Sequence, residues 1–308
     1  MLTVRPCPVC GNTDDSHERF AERIDRRRLT ALSYASRKEP EFMTLRMVIC
    51  PGCGLLYAPR VPPTSELAQA YADTEYDSPT EARHAAASYA EALRGRFGGL
   101  PGDRGAALEI GTGNGALLGH LRAMGFTEVT GIEPSRAAAD SAAPAVRPMI
   151  RVESFDGASL PRAHYSLIVA NQTLEHVPNP YELLEAARGL LKPRGTLMIV
   201  SHNHRHPLMR LLGARSPIID IEHLQVFSPA SLELALKRAG FETVEIRPFA
   251  NRYPLHYWAR LMPIPRTIKR PLHAWLRRGE DGGVGGLMIQ ARVGNMVAWA
   301  SGWRRGPA

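Results

Sequence analysis

No stretch of the 308-residue chain is apolar for long enough to cross a bilayer, so no helical membrane span is expected. Residues 1–7 carry no apolar core of the kind a secretory signal has, and the cytoplasm is the expected compartment. Internal repeats and low-complexity tracts are missing, which excludes a solenoid or fibrous architecture. No recognisable nucleic-acid-binding motif is present, and no nucleic acid partner is expected. Cysteine is scarce, with four in the whole chain. Charge is plentiful but almost balanced: 38 Lys and Arg against 30 Asp and Glu leave a formal +8. Such a surplus reads first as solvated surface. Clusters such as Arg26-Arg27-Arg28 and Arg277-Arg278 keep an anionic substrate or an anionic membrane surface open as sharper readings. A hydrophobic fraction of 44% suits an ordinary core, and the length suits one large domain plus a small one.

The four cysteines fall in two knuckles, Cys7-Pro8-Val9-Cys10-Gly11 and Cys50-Pro51-Gly52-Cys53-Gly54. A C-x-x-C turn aims two thiolates at one metal, and two such turns complete a tetrahedral set. The glycine after each second cysteine lets the turn close. Disulfides or a redox pair are the alternative, but a redox C-x-x-C comes once and at a helix start. Structural Zn2+ is therefore expected on Cys7, Cys10, Cys50 and Cys53, with no coordination position left for catalysis.

Domain boundaries follow from composition. Residues 1–63 read as a zinc ribbon, with some helical character in 14–38 and a strand-like 42–49. Pro59-Arg60-Val61-Pro62-Pro63 opens a linker, 64–104, holding two helical patterns: one from a Ser65 cap to about Ala72, one over 80–97. Gly98-Gly99-Leu100-Pro101-Gly102-Asp103 breaks the chain again. From 105 to 308 strands alternate with helices: strands at 106–111, 128–133, 148–153, 165–171, 195–201, 242–249 and 295–300, helices at 115–124, 135–143, 180–191 and 229–239. That alternation predicts an α/β fold, a Rossmann-like doubly wound sheet covered on both faces. The connection 251–294 is longer than ordinary and reads as an insert. It is either a lid on the substrate site or, through 252–278, an interfacial segment on anionic lipid.

At residues 106–118 an apolar strand runs into Gly111-Thr112-Gly113-Asn114-Gly115 and then a helix. Strand, glycine turn and helix N-terminus make a nucleotide-binding corner. Gly111, Gly113 and Ala116 also fit a dinucleotide fingerprint, and Glu133, 20 residues past Gly113, is placed to accept from ribose hydroxyls. These features alone leave NAD and S-adenosylmethionine open.

The combination of motifs resembles class I S-adenosylmethionine-dependent methyltransferases. Leu108-Glu109-Ile110-Gly111-Thr112-Gly113-Asn114-Gly115 resembles their first motif, Gly131-Ile132-Glu133-Pro134 their second-strand motif, and Leu174-Glu175-His176-Val177 with Asn179-Pro180 their post-fourth-strand block. Leu190-Leu191-Lys192-Pro193-Arg194-Gly195 and Ala239-Gly240-Phe241 are similar to the entries to their last strands. With the two knuckles, the Tyr71/Tyr76 segment and Phe227-Ser228-Pro229, the chain resembles the branch with an N-terminal zinc ribbon, which includes sugar C-methyltransferases. The resemblance implies a seven-stranded, mostly parallel sheet with an antiparallel last strand, and S-adenosylmethionine as cofactor. It implies that Gly111, Gly113 and Gly115 admit the methionyl part, that Glu109 anchors the loop and that Glu133 takes the ribose. Asp156 is the candidate adenine contact, with Phe155 as alternative, and Asn171 lies near the sulfonium. Ser166 departs from the aspartate usual in the fourth strand. The candidate catalytic residues are His223 and Glu222, similar to the Glu-His pair of the sugar enzymes, with His176 and Tyr76. His202-Asn203-His204-Arg205-His206 reads as a substrate-facing loop. The implied reaction is methyl transfer to an oxygen or carbon of a small molecule, such as a sugar, glycan or lipid-linked precursor. Full-length sugar C-methyltransferases continue into a second Rossmann-like domain, and this sequence stops at Ala308, which makes O-methylation as expected as C-methylation. The competing expectations are a non-catalytic zinc-ribbon adaptor and an NAD-dependent oxidoreductase.

Overall fold

A computed structural model describes residues 2–97, 104–278 and 283–302; the glycine-rich break at 98–103 and residues 303–308 lie outside the described residues. The cysteine-bearing segment contributes β1 (Thr3–Val4), β2 (Glu18–Phe20), β3 (Met47–Ile49), β4 (Leu56–Tyr57) and β5 (Arg60–Val61). Two helices follow, α1 (Thr64–Ala72) and α2 (Pro79–Phe97). The αβ part then runs β6 (Ala106–Ile110), α3 (Ala116–Ala123), β7 (Glu128–Ile132), α4 (Arg136–Asp140), β8 (Ile150–Arg151), β9 (Tyr165–Asn171), α5 (Pro180–Leu190) and β10 (Leu191–His202). After it come α6 (Pro207–Leu212), β11 (Gln225–Val226), α7 (Pro229–Arg238), β12 (Thr243–Pro254), α8 (Leu255–Leu261), α9 (Arg266–Arg277) and β13 (Met288–Ser301).

Seven strands form one sheet in the order β12-β13-β10-β9-β6-β7-β8. β8, β7, β6, β9 and β10 pair in parallel, and β13 is antiparallel to both β10 and β12. The apolar runs of the central strands are explained by burial on two faces. Leu108, Ile110, Ile168, Ala170 and Ile199 face one core; Ala107, Leu167, Val169, Met198 and Val200 face the other. The first core also holds α5, α7 and the cysteine knuckles; the second holds α2, α3 and Tyr253. Alanines 82, 85, 86 and 90 of α2 are buried, small enough to let that helix lie close on the sheet. Helix starts obey local chemistry: Asn179 caps α5 ahead of Pro180, and Ser228 with Ser231 forms a reciprocal cap on α7 ahead of Pro229.

Several expectations change, among them the strand-like 42–49, which shortens to Met47–Ile49. Residues 14–38 hold β2 and one 3₁₀ turn, Arg26–Arg28, with no α-helix among them. Helix α1 begins at Thr64 with Pro63 before it, and Ser65 sits inside it rather than capping it. The strand expected at 148–153 shrinks to Ile150–Arg151, at the sheet edge. The ends of the insert are strand: Arg252 pairs with Gln290 and Pro254 with Met288, leaving 255–287 as the true connection. The register shift between Phe249 and Asn251 and the proline at 254 hide this in the sequence. Prolines occur at 248 and 254 of β12. They are tolerated because β12 is an edge strand with one row of donors facing away from the sheet. The cysteine segment is not self-contained either, since β11 completes its four-stranded sheet, ordered β11-β4-β3-β2.

Candidate active site

A cavity of about 690 Å³ opens at the carboxyl ends of β6, β7 and β9, where ligands bind in open α/β sheets. The glycine corner forms its floor. Gly111, Gly113 and Gly115 have φ of +73°, +58° and +69°, a backbone region that disfavours side chains. A Cβ on Gly111 would lie 2.7 Å from Thr173 Oγ1 and one on Gly115 2.6 Å from Val146 Cγ1, while Gly113 meets nothing within 4 Å. Gly111 and Gly115 close the turn, Gly115 packed away from the cavity on Val146 and Ile150, and Gly113 leaves its backbone bare to the cavity.

Glu133, just past β7, accepts from the N–H groups of Gly113 (2.7 Å) and Ser135 (2.9 Å). Burial raises its pKa, and those two bonds pull it back. Glu109 ends up buried in β6, where the Thr112 hydroxyl donates to it at 2.5 Å. Its carboxyl is pushed up to about 8 by burial, against the Thr112 hydrogen bond. Phe155 and Asp156 line the same wall. Asp156 Oδ1 accepts from Ala158 N at 2.9 Å, so that carboxylate makes its own turn as well as facing the cavity. Asn171 closes β9; its Oδ1 accepts from Val200 N at 3.2 Å. Its Nδ2 and the Oδ1 of Asn114 are buried without a partner among the described residues. Orphaned buried amides on a cavity wall mark where a polar ligand completes the hydrogen bonding. The bare Gly113 backbone, the Glu133 carboxylate and these amides fit S-adenosylmethionine.

Across the cavity stand Tyr34, Tyr71, Tyr76 and His176. His176 Nδ1 lies 3.1 Å from the Glu222 carbonyl oxygen and 3.2 Å from Tyr71 Oη. Tyr71 itself donates to the Glu222 carbonyl at 3.1 Å. A carbonyl only accepts; with the Tyr71 hydroxyl spent on the same carbonyl, the network assigns the proton to Nδ1 and the lone pair to Nε2. Burial pulls the His176 pKa down to about 4. Tyr76 donates to Ser78 O at 3.3 Å, and burial raises its pKa to about 12.

The pair Glu222 and His223 does not line the cavity. The Glu222 side chain turns to Lys38, Oε2 to Nζ 2.9 Å. Asp220 and Glu41 approach the same ammonium. Burial raises the Glu222 pKa to about 8 and also raises that of Asp220, while the Lys38 ammonium pulls both back. His223 sits behind His176, ring centroids 4.8 Å apart, with Nδ1 on Ile218 O at 3.1 Å. Glu222 reaches the site through its backbone carbonyl, which no side-chain reading reveals. The 202–206 loop also faces elsewhere: His204 Nε2 lies 3.0 Å from Gly54 O, and Arg205 packs on the second knuckle.

Sequence reasoning missed Arg37. It adopts φ +60°, unusual for a residue with a side chain, and lines the cavity. Tyr76, Tyr89, Tyr253 and Tyr257 surround its guanidinium, and its charge reaches Glu109 and Glu133. As one of many arginines in a charged segment it carried no local signal.

Away from the cavity, the four cysteine sulfurs lie within 4.8 Å of one another. Cys7 to Cys53 is 3.5 Å and Cys10 to Cys50 is 3.3 Å. Tetrahedral bonds of about 2.3 Å would set sulfurs roughly 3.8 Å apart, so the donor set is compatible with a bound metal. No helix among the described residues is long and apolar enough to cross a membrane.

Residues 82–246, more than half of the chain, match the family described as methyltransferase domain. A ubiquinone biosynthesis O-methyltransferase of Burkholderia pseudomallei is 26% identical over 174 residues, covering 51% of this chain and 74% of that protein. One from Alkalilimnicola ehrlichii is 33% identical over 128 residues, covering 38% of this chain and 50% of its own. Among solved structures, the YcgJ protein of Bacillus subtilis superimposes with a TM-score of 0.50 at 13% identity, over 70% of this chain and 99% of that one, a likeness of fold.

Proposed function

The chain belongs to the methyltransferase domain family and is an S-adenosylmethionine-dependent methyltransferase; from that premise we propose that it methylates a hydroxyl oxygen of a small molecule held in the cavity against the Tyr71 and His176 wall. The observation that carries this reading is the contact of His176 Nδ1 with the Glu222 carbonyl, on a ring that lines the cavity: assigned as a donor there, Nδ1 leaves the lone pair on Nε2. When bound, S-adenosylmethionine supplies a methyl on a sulfonium, already activated for displacement. Glu133 and the Gly113 backbone hold the ribose and methionyl parts, and Asn171 Nδ2 offers a donor beside them. Arg37 holds the cofactor carboxylate. His176 takes the acceptor's hydroxyl proton at Nε2, while Nδ1–H donation to Glu222 O steadies the resulting imidazolium. Tyr34, Leu67, Ala68 and Tyr71 line the remaining wall. That surface suits an acceptor with an apolar or aromatic body, and the relatives' O-methyltransferase names favour oxygen over carbon.

Two cofactor titrations and one screen test this. S-adenosylmethionine should raise the melting temperature of the purified protein and NAD+ should not; the reverse would favour the oxidoreductase, and no response to either the adaptor. A methyl-transfer screen over phenols, sugars, nucleotide sugars and lipid-linked intermediates should yield an O-methyl product, and a C-methylated sugar would replace the reading.

The four thiols hold structural zinc in this proposal, in keeping with a reducing cytoplasm. Metal analysis should find one zinc per chain, and thiol reagents should find four reactive sulfurs only after chelation. A metal-free, fully thiol-reactive protein with unchanged melting would rule the zinc out.

A further inference from the structure

The connection 255–287, which the methyl-transfer chemistry does not use, has the composition of a membrane-contact element. Residues 251–278 contain seven Arg or Lys and no Asp or Glu, against +8 for the entire chain. Acids resume only at Glu280 and Asp281, which lie outside the described residues. Apolar exposure concentrates at the same place. Nine large apolar side chains are exposed among the described residues, and five of them, Met262, Ile268, Trp275, Val284 and Leu287, fall within 262–287.

Helix α9 arranges these groups. Lys269 and Leu276, seven residues apart, are its buried face. Lys269 is tied to Glu39 (3.3 Å) and to the Arg260 carbonyl (3.1 Å). At 100° per residue, Ile268 and Trp275 share one outer flank, Arg270 and Arg277 share the other, and the exposed Arg278 at the C-cap falls on the outer face between them. Ile268 is 57% exposed and Trp275 58%. The 284–286 turn packs tightly on the helix: a Cβ on Gly285 would lie 1.8 Å from the Leu276 carbonyl oxygen. This packing sets Val284 and Leu287, each 58% exposed, beside the helix. An outward tryptophan and isoleucine flanked by arginines is the pattern by which a helix lies in a lipid headgroup region, with rings at the interface and guanidinium groups on phosphates.

We propose that α9 and the adjoining 284–287 turn dock the protein on an anionic lipid bilayer. The occupant follows from charge: an acid-free, arginine-flanked apolar patch is complementary to anionic headgroups. The location suits an acceptor drawn from lipid, although the docking does not depend on the acceptor's identity. Lys269 anchors α9 to Glu39, and Arg260 of α8 pairs with Asp77 at 2.7 Å, so the patch lies against the segments that carry Arg37 and Tyr76 into the cavity.

Vesicle co-sedimentation with the full chain tests this. Most of the protein should pellet with phosphatidylglycerol/phosphatidylcholine vesicles at low salt and little with pure phosphatidylcholine, and high salt should reduce the bound fraction several-fold. Ile268→Glu with Trp275→Glu should cut binding at least tenfold, and Arg270→Glu with Arg278→Glu should remove its salt dependence along with most of the binding. Leu211→Glu, at an exposed leucine on α6, should bind as wild type. Each variant's melting temperature and S-adenosylmethionine affinity should match wild type, which separates lost docking from lost folding. Equal binding to neutral vesicles, no binding to anionic ones, or undiminished binding by the Ile268/Trp275 variant would overturn the proposal. So would a wild-type dimer in sedimentation velocity that the same variant dissociates, with no vesicle binding.

Discussion

Replacing His176 by glutamine lowers kcat by about 10²- to 10⁴-fold, the range expected for losing a positioned general base, while the Kd for S-adenosylmethionine changes by less than about threefold. The separation arises because the ring touches the Glu222 carbonyl and Tyr71, not the glycine corner. Isothermal titration gives the Kd and a labelled-methyl assay gives kcat. A variant keeping a third or more of wild-type turnover would remove His176 as base. The pH profile supplies a second readout. With its pKa lowered to about 4, His176 remains a neutral base down to mildly acidic pH. Wild-type turnover should therefore be flat in this group from neutral pH to about 5 and fall as pH approaches 4, and the variant should lack that acid limb. Stability has the matching sign. The folded state binds fewer protons at this residue than the unfolded chain, so its contribution is present above the unfolded value of 6.5 and is lost as pH falls through 6.5 toward 4.

Glu133→Ala raises the cofactor Kd by at least about 100-fold. One carboxylate accepts from Gly113 N–H and Ser135 N–H, lines the cavity and in the proposed function also takes the ribose. Each charge-assisted bond contributes on the order of 1.5–3 kcal/mol, and removing the acceptor leaves two donors unsatisfied as well. The expected loss is therefore several kcal/mol, expressed mostly as lost binding because the turn it braces is itself the cofactor floor. Glu133→Gln keeps the shape and one acceptor oxygen but sets its NH2 against the second backbone N–H, so it should recover part of the melting temperature and part of the affinity. Binding within threefold of wild type for the alanine variant would place the cofactor elsewhere.

The glycine corner, Glu133 and the cysteine pairs were legible because each is a local device. Three positive-φ glycines, an acid at the tip of the next strand and two C-x-x-C turns are specified within a few residues. The alternating pattern likewise announced the parallel sheet, since strands buried on both faces are apolar throughout. The loop of Glu222 and His223 was not legible in this way: their side chains point to Lys38 and to the back of His176, and neither lines the cavity. Which face a loop residue presents depends on its neighbours in space, and here Lys38 lies 184 residues away in sequence.

By itself, then, the sequence determined the fold class, the glycine corner and the thiol set, because these rest on backbone conformation and on spacings of a few residues. Only the tertiary structure decided the rest. It brought Arg37 from the cysteine-bearing segment into the cavity, and it turned the Glu222 carbonyl so that His176 holds its proton on Nδ1. It completed the small sheet with β11 and turned one flank of α9 outward. Each of these depends on long-range packing and on hydrogen bonds to backbone atoms, and neither leaves a mark in residue type or spacing.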